Sequence, residues 1–190
     1  MERLVSALDA ADAGDSRTVV LTGDAGLGKT RMAADVRRVA TERGMATMWG
    51  GCAEAELSLP YLPFLEAIGN FLSTQDVTAL RERLGSVSDE LAQLFPQMGR
   101  PQPATGEPLQ AKLRLFEAML LLLADAARGH GLLLVLEDLH WADPATRELI
   151  DYATRRLRNT NVLVLATYRT DELHRKHALL PTIQGWRRSG

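Results

Sequence analysis

The chain has 190 residues, of which 46% are hydrophobic, and its formal net charge at pH 7 is -2. This length permits one domain with a buried core, while the near-neutral charge argues against recognition of nucleic acid by an overall basic surface. Cys52 is the only cysteine, so the sequence excludes an intrachain disulfide and favours a cytoplasmic protein. The most apolar stretch, residues 118–124, is far shorter than the roughly 20 residues of a membrane span, which favours a protein without membrane contact.

Apolar runs alternate with helical patterns along the chain. Strands are predicted at residues 18–22, 45–49, 132–136 and 161–167. Helices are predicted at residues 2–13, between Lys29 and Gly44, and at residues 62–72, 76–84, 108–128, 144–157 and 179–187. Apolar strands separated by helices predict a parallel sheet with helices on both faces, a three-layer α/β/α fold. Residues 1–190 are predicted to form a single domain with a mostly helical insertion at about 53–107. Residues 97–108, at the end of this insertion, are predicted to form a loop.

A glycine-rich segment with the spacing G-x-x-x-x-G-K-T follows the first predicted strand, which is apolar like a buried parallel strand. Its residues are Gly23, Asp24, Ala25, Gly26, Leu27, Gly28, Lys29 and Thr30. The glycines let successive N–H groups face an anion, and the helix that follows adds partial positive charge. Lys29 can reach the β- and γ-phosphates of a nucleotide, and the Thr30 hydroxyl can ligate Mg²⁺. The segment predicts the phosphate-binding loop of a P-loop NTPase; the alternative is a chance glycine-rich turn.

Two acids, Glu137 and Asp138, follow the third predicted strand. An apolar strand that ends in an acid is typical of the Walker B motif, in which a carboxylate helps to hold Mg²⁺. Because adjacent residues on a strand point in different directions, one acid can face the metal and the other the water that attacks the γ-phosphate. The sequence leaves open which acid has which role, and the alternative is a solvated strand end.

Arg169 lies just beyond the fourth predicted strand, and Thr167 lies at its end. A guanidinium there can contact the γ-phosphate and report its presence, although an ordinary surface arginine is the alternative. Thr167 is a second candidate for a polar contact with the phosphate or the water. Since ligands of parallel sheets bind at the carboxyl ends of the strands, these residues are expected to meet the glycine-rich loop. Trp49 and Cys52 are expected to pack in or near the core.

Three segments resemble the ATPase domain of STAND-class AAA-related proteins, and above all the large ATP-binding LuxR-family transcriptional regulators of bacteria. They read GDAGLGKT at residues 23–30, LVLEDLHWADP at residues 134–144 and LATYR at residues 165–169. The run LHWAD after the two acids is the most family-specific part. The segment after the second strand, residues 52–64, is also similar, so the resemblance extends over nearly the whole chain.

The resemblance implies an ATP-dependent switch that binds ATP or ADP with Mg²⁺, changes conformation or self-associates, and hydrolyses ATP slowly. It implies that Lys29 and Thr30 bind phosphate and Mg²⁺, that Glu137 and Asp138 serve metal and water, and that Arg169 is a sensor. Family members continue into a fifth strand, a helical lid and a DNA-binding domain, so we expect a truncated domain that lacks these parts and contacts DNA only through a domain outside it. Two alternatives stay open: a nucleotide-independent interaction module that retains the fold, and an AAA-type motor or replication ATPase.

Overall fold

Four strands form one parallel sheet in the computed structural model, which describes residues 1–54, 59–101, 107–157, 159–173 and 177–189. The strands are β1 (Arg17–Gly23), β2 (Ala46–Gly51), β3 (Leu132–Glu137) and β4 (Val162–Arg169). They lie in the order β1-β4-β3-β2, and every neighbouring pair is parallel. The predicted parallel sheet is confirmed. All four strands extend one or two residues past their predicted ends: β1 includes Gly23, β3 includes Glu137, β2 continues through Gly50 and Gly51, and β4 includes Arg169.

Seven of the eight α-helices in the described residues lie close to their predicted positions, and the short helix at Val87–Leu91 lies outside the predicted ranges. They are α1 (Glu2–Asp12), α2 (Lys29–Glu42), α3 (Leu62–Leu72), α4 (Val77–Leu84), α5 (Val87–Leu91), α6 (Pro108–Ala126), α7 (Pro144–Arg156) and α8 (Leu180–Ser189), with 3₁₀ turns at Pro96–Met98 and Leu139–Trp141. Asp143 begins α7 as its N-cap, since its carboxylate accepts from the backbone N–H groups of Ala145 and Thr146 at 2.8 and 3.1 Å. Within the described ranges, no helix is long and apolar enough to span a bilayer.

The two faces of the sheet are covered by different helices, which confirms the three layers. On one face, Leu133 and Val135 of β3 pack with Ala33 and Val36 of α2 and with apolar residues of α1. On the other face, alternate strand residues such as Leu134 pack with α3, α6 and α7. This division follows from the alternation of side chains along a strand. The glycine-rich loop leads from β1 directly into α2, the helix on the first of these faces.

Helices α3, α4 and α5 lie in the stretch predicted as a helical insertion, and they share the core of the sheet. Their buried residues, among them Phe64, Ile68 and Leu91, belong to the same cluster as Met119 of α6. The predicted loop at residues 97–108 contains a 3₁₀ turn at Pro96–Met98, while residues 102–106 lie outside the described residues. The division of the chain into a domain and an insertion stays a prediction.

Strand β1 differs from its predicted environment, because it is an edge strand and its apolar residues are only partly buried. Val19, Val20 and Leu21 are all partly exposed, whereas the corresponding residues of β3 and β4 are buried. A groove of about 910 Å³ follows this edge and is lined in part by Leu4 of α1 and Trp186 of α8. Strand order, rather than local composition, decides which apolar strand is covered on both sides.

Candidate functional site

The segment between β1 and α2 is a loop whose glycines have positive φ. Gly26 and Gly28 have φ angles of 79° and 81°, a region that favours glycine. A Cβ atom at either position would meet no other atom within 4 Å, so the loop borders open space. Gly28 is the N-cap of α2, and the first N–H groups of a helix lack intrahelical partners. The start of α2 therefore offers N–H donors and positive potential beside a space, which suits a phosphate group.

Lys29 begins α2 and folds over the loop. Its ammonium group donates to the carbonyl oxygens of Gly23 and Asp24 at 2.8 and 2.9 Å. An ammonium group has three donors, so these two contacts leave a donor for an anion. Thr30 follows in the first turn of α2 and is exposed, so its hydroxyl is accessible to a ligand.

The loop is also tied to the segment that follows β4, through residues that the sequence did not single out. Thr170 donates from its N–H to the Gly23 carbonyl oxygen at 3.4 Å, and from its hydroxyl to the Asp24 carboxylate at 2.5 Å. The Ala25 N–H donates to the Asp171 carboxylate at 3.5 Å, at the long limit of a hydrogen bond. Only the position of Thr170 and Asp171 after the fourth predicted strand could have indicated them.

Glu137 ends β3, and by alternation with Val135 it lies on the face that carries α2. Its Oε2 accepts a hydrogen bond from the indole Nε1 of Trp49 at 2.9 Å. Its Oε1 is buried and has no hydrogen-bond partner among the described residues. A buried carboxylate oxygen without a partner is costly, so this atom suits a cation. Trp49, which was expected only to pack near the core, therefore also contacts a candidate site residue.

Asp138 adopts a left-handed backbone conformation, with φ of 53°. Its N–H donates to the hydroxyl of Thr167 at 3.0 Å, and Thr167 is only 1% exposed. The Oδ1 atom of Asp138 lies 3.6 Å from Nε of Arg169 and 3.8 Å from Nδ1 of His140. The structure thus brings Asp138, Thr167 and Arg169 together. The Thr167 oxygen, however, accepts the hydrogen bond that holds the turn and is not open to a ligand.

Two further side chains lie near the acids. His140 is buried, and in the described part of the chain neither of its ring nitrogens has a hydrogen-bond partner. Burial lowers the pKa of this imidazole, and Arg169 lowers it further against the opposing effect of Asp138, so the ring is neutral at pH 7. Burial also raises the pKa of the Cys52 thiol to about 12, with Asp143 adding to the effect. The thiol is therefore protonated at neutral pH and is a poor nucleophile.

The donor set fits Mg²⁺ bound together with a nucleotide better than a metal held by protein alone. Over the described ranges, no group of three or more His, Cys, Asp or Glu side chains is placed to hold a metal ion. Mg²⁺ is commonly held by one or two carboxylates together with phosphate oxygens and water. Thr30, the unpartnered Oε1 of Glu137 and the Asp138 carboxylate are the candidate ligands on this chain.

Comparison with other proteins shows relatives that are distant or much longer. An uncharacterized protein of Rhizobium meliloti is 26% identical over 170 residues, which cover 83% of this chain and 16% of that protein. A structure of Drosophila ORC bound to GC-rich DNA and Cdc6 has a TM-score of 0.45 at 13% identity, over 97% of this chain and 51% of the other. A structure of Drosophila ORC bound to DNA has a TM-score of 0.42 at 13% identity, over 97% of this chain and 86% of the other. Likenesses at this level carry no inference about ligands or partners.

A family model gives a broader match. The model described as the AAA ATPase domain matches residues 1–165 of the chain. The matched range includes the loop at residues 23–30, both acids at the end of β3 and the first half of β4. Because the match extends over most of its length, the chain belongs to the AAA ATPase domain family.

Proposed function

We propose that this chain is an ATP-binding switch domain, which binds ATP with Mg²⁺ and hydrolyses it slowly, in a transcriptional regulator of the LuxR/STAND type. The observation that carries the proposal is the convergence of three strand ends. The open glycine loop follows β1, Gly23 of β1 pairs with Arg169 of β4, and β4 pairs with β3, which ends at Glu137. An NTPase site needs a phosphate loop, a metal-binding acid and a charge that senses the γ-phosphate at one place.

In this proposal each residue has a distinct role. The backbone N–H groups of residues 23–30 and the ammonium group of Lys29 bind the phosphates. Thr30 and Glu137 hold Mg²⁺, which when bound neutralises charge on the phosphate oxygens. Asp138 orients the attacking water and accepts its proton, and Arg169, 3.6 Å from Asp138, contacts the γ-phosphate. The buried Oε1 of Glu137, unpartnered among the described residues, supports the assignment of this residue to the metal.

The finer assignment to a regulator is supported by the resemblance of residues 134–144, with the run LHWAD after the acids. In such a protein we expect the domain to self-associate when ATP is bound. We assign contact with DNA to another domain of the full-length protein. We also propose that the protein is located in the cytoplasm. The chain spans 16% of the Rhizobium relative, so the activity of any longer protein is part of the proposal.

Lys29→Ala tests the proposal, because it removes the charge that reaches the phosphates. A hydrogen bond to a charged group contributes about 1.5–3 kcal/mol, so we expect the affinity for the fluorescent analogue mant-ATP with Mg²⁺ to fall about 10- to 100-fold. Arg31→Ala removes a neighbouring exposed cation of α2 outside the motif and should leave the affinity unchanged. Both variants are measured by fluorescence titration after their thermal unfolding has been compared with that of the wild type.

Equal affinity of wild type and Lys29→Ala would refute the proposed role of the loop. If the folded wild type shows no saturation at millimolar mant-ATP, the result would favour the nucleotide-independent interaction module instead. The two outcomes are distinguishable, because the first retains binding and the second lacks it.

A further inference from the structure

We propose that Trp49 is a positioning residue for Glu137: its indole N–H holds one carboxylate oxygen so that the other stays directed at the metal site. This inference rests on the proposed function, in which Glu137 is a ligand of Mg²⁺. The contact joins Nε1 of Trp49 to Oε2 of Glu137 at 2.9 Å, while Oε1 is buried without a hydrogen-bond partner in the described residues. The two oxygens of one carboxylate thus differ in their surroundings.

The register of β2 and β3 explains how the indole reaches the acid. Gly51 lies opposite Glu137, and Trp49 lies opposite Val135, two residues earlier on each strand. Residues two apart on a strand share a face, so Trp49 and Glu137 lie on the same side of the sheet. A Cβ at Gly51 would meet only Cβ of Glu137, at 3.8 Å, so the indole reaches the carboxylate clear of this position.

Contacts on both sides of β2 hold Trp49 in this position. The Arg37 guanidinium of α2 lies 5.7 Å from the centroid of the Trp49 ring, within the range of a cation–π interaction. On the opposite face, Gly50 is so close to α3 that a Cβ there would lie 1.9 Å from the carbonyl oxygen of Pro63. The strand end is therefore pressed between two helices. Trp49 connects the helix that follows the phosphate loop with the acid at the end of β3.

This arrangement has a specific consequence for metal binding. A free glutamate side chain must lose rotamer freedom when it binds a metal, and a hydrogen bond to one oxygen removes part of that freedom beforehand. Partners that orient metal ligands in this way typically change metal affinity about 10- to 100-fold when they are lost. If Trp49 only packed in the core, its loss would affect folding stability but not the Mg²⁺ requirement.

Trp49→Phe tests this difference, because phenylalanine keeps an aromatic ring and lacks the N–H donor. With mant-ATP held constant, Mg²⁺ is titrated and the half-saturating concentration is read from fluorescence. We expect this concentration to rise about 10-fold or more, while mant-ATP affinity without Mg²⁺ stays at the wild-type value. Trp186→Phe, the same replacement in the core on α8, should leave the Mg²⁺ requirement unchanged.

A double variant separates positioning from packing. Glu137→Ala removes the carboxylate, so adding Trp49→Phe to it should raise the half-saturating Mg²⁺ concentration no further. An unchanged Mg²⁺ requirement in Trp49→Phe, or an equal further rise in the Glu137→Ala background, would overturn the inference. If the wild type fails to bind mant-ATP, the proposed function fails and this inference fails with it. Normal binding with no effect of Trp49→Phe refutes the positioning role alone.

A second measurement leaves Trp49 in place and so does not depend on the folding of Trp49→Phe. Trp141→Phe combined with Trp186→Phe makes Trp49 the only indole of the chain, which has three tryptophans. Adding Mg²⁺ to the ADP complex of this variant should shift the emission of Trp49, because its hydrogen-bond partner then binds a cation. The shift should disappear when Glu137→Ala is added. An emission that does not respond to Mg²⁺ would overturn the proposal.

Discussion

Glu137 and Asp138 are neighbours in sequence but lie in different surroundings. Glu137 has one oxygen bound by Trp49 and one buried, on the side of α2. Asp138 lies in a left-handed turn held by Thr167, with its carboxylate partly exposed beside Arg169. A change of backbone direction at the strand end thus separates two carboxylates that the sequence could not tell apart.

At the level of single residues, Asp138→Asn should separate binding from hydrolysis. Asparagine tolerates the left-handed conformation, so the turn is retained while the proton acceptor is lost. We expect the rate of phosphate release in single-turnover experiments to fall about 10²- to 10⁴-fold, with mant-ATP affinity at saturating Mg²⁺ retained. Glu137→Gln should instead raise the Mg²⁺ requirement. Unchanged turnover in Asp138→Asn would contradict the role of Asp138 as the base.

At the level of elements, β2 shows why two adjacent glycines need not end a strand. Gly50 and Gly51 belong to the paired part of β2, and they face opposite sides of the sheet. Gly50 lies against the backbone of α3 at Pro63, whereas Gly51 lies opposite Glu137 with ordinary clearance. Glycine inside a strand often marks a close approach of another backbone, and Gly50 is such a position.

The pair provides a matched test of this packing. Gly50→Ala places a Cβ 1.9 Å from a backbone oxygen, so α3 and β2 must separate. We expect the free energy of unfolding, measured by urea denaturation, to fall by about 1–3 kcal/mol. In Gly51→Ala the added Cβ would lie 3.8 Å from Cβ of Glu137, so the free energy of unfolding should change by less than about 1 kcal/mol. Similar losses in both variants would show that α3 does not constrain β2 in this way.

At the level of the whole molecule, the candidate site joins parts of the chain that are far apart in sequence. The loop after β1 is hydrogen-bonded to the segment after β4, and Thr167 of β4 accepts a hydrogen bond from the turn after β3. A ligand bound there would contact three strand ends at once. Its binding free energy would therefore stabilise the folded sheet as a unit.

Thermal unfolding with ADP and Mg²⁺ tests this linkage. At a free ADP concentration of 100 times Kd, the stabilisation is about 2.7 kcal/mol, which for a domain of this size raises Tm by roughly 5–10 °C. Lys29→Ala at the same ADP concentration should show a much smaller shift, because its affinity is lower. Mg²⁺ without nucleotide is the control. An equal shift in wild type and Lys29→Ala would place the bound ADP away from the loop.

By itself the sequence determined the features that depend on residues close together in the chain. The glycine loop, the start of α7 at Pro144 and the alternation of strands with helices are all encoded within a few positions. These predictions agree with the structure because local spacing and local hydrogen bonds decide them. The two acids and Arg169 were found in the same way, as polar residues at the ends of apolar strands.

Only the tertiary structure decided which strand lies at the edge and which side chains meet. The partial exposure of β1 follows from the strand order, and the contact of Trp49 with Glu137 follows from the register of β2 on β3. The hydrogen bond from Asp138 to Thr167 likewise joins residues 29 positions apart. Hydrophobic periodicity shows which face of a strand is buried, but it does not show which other strands that strand pairs with. Pairing depends on packing between distant segments, which no local pattern specifies.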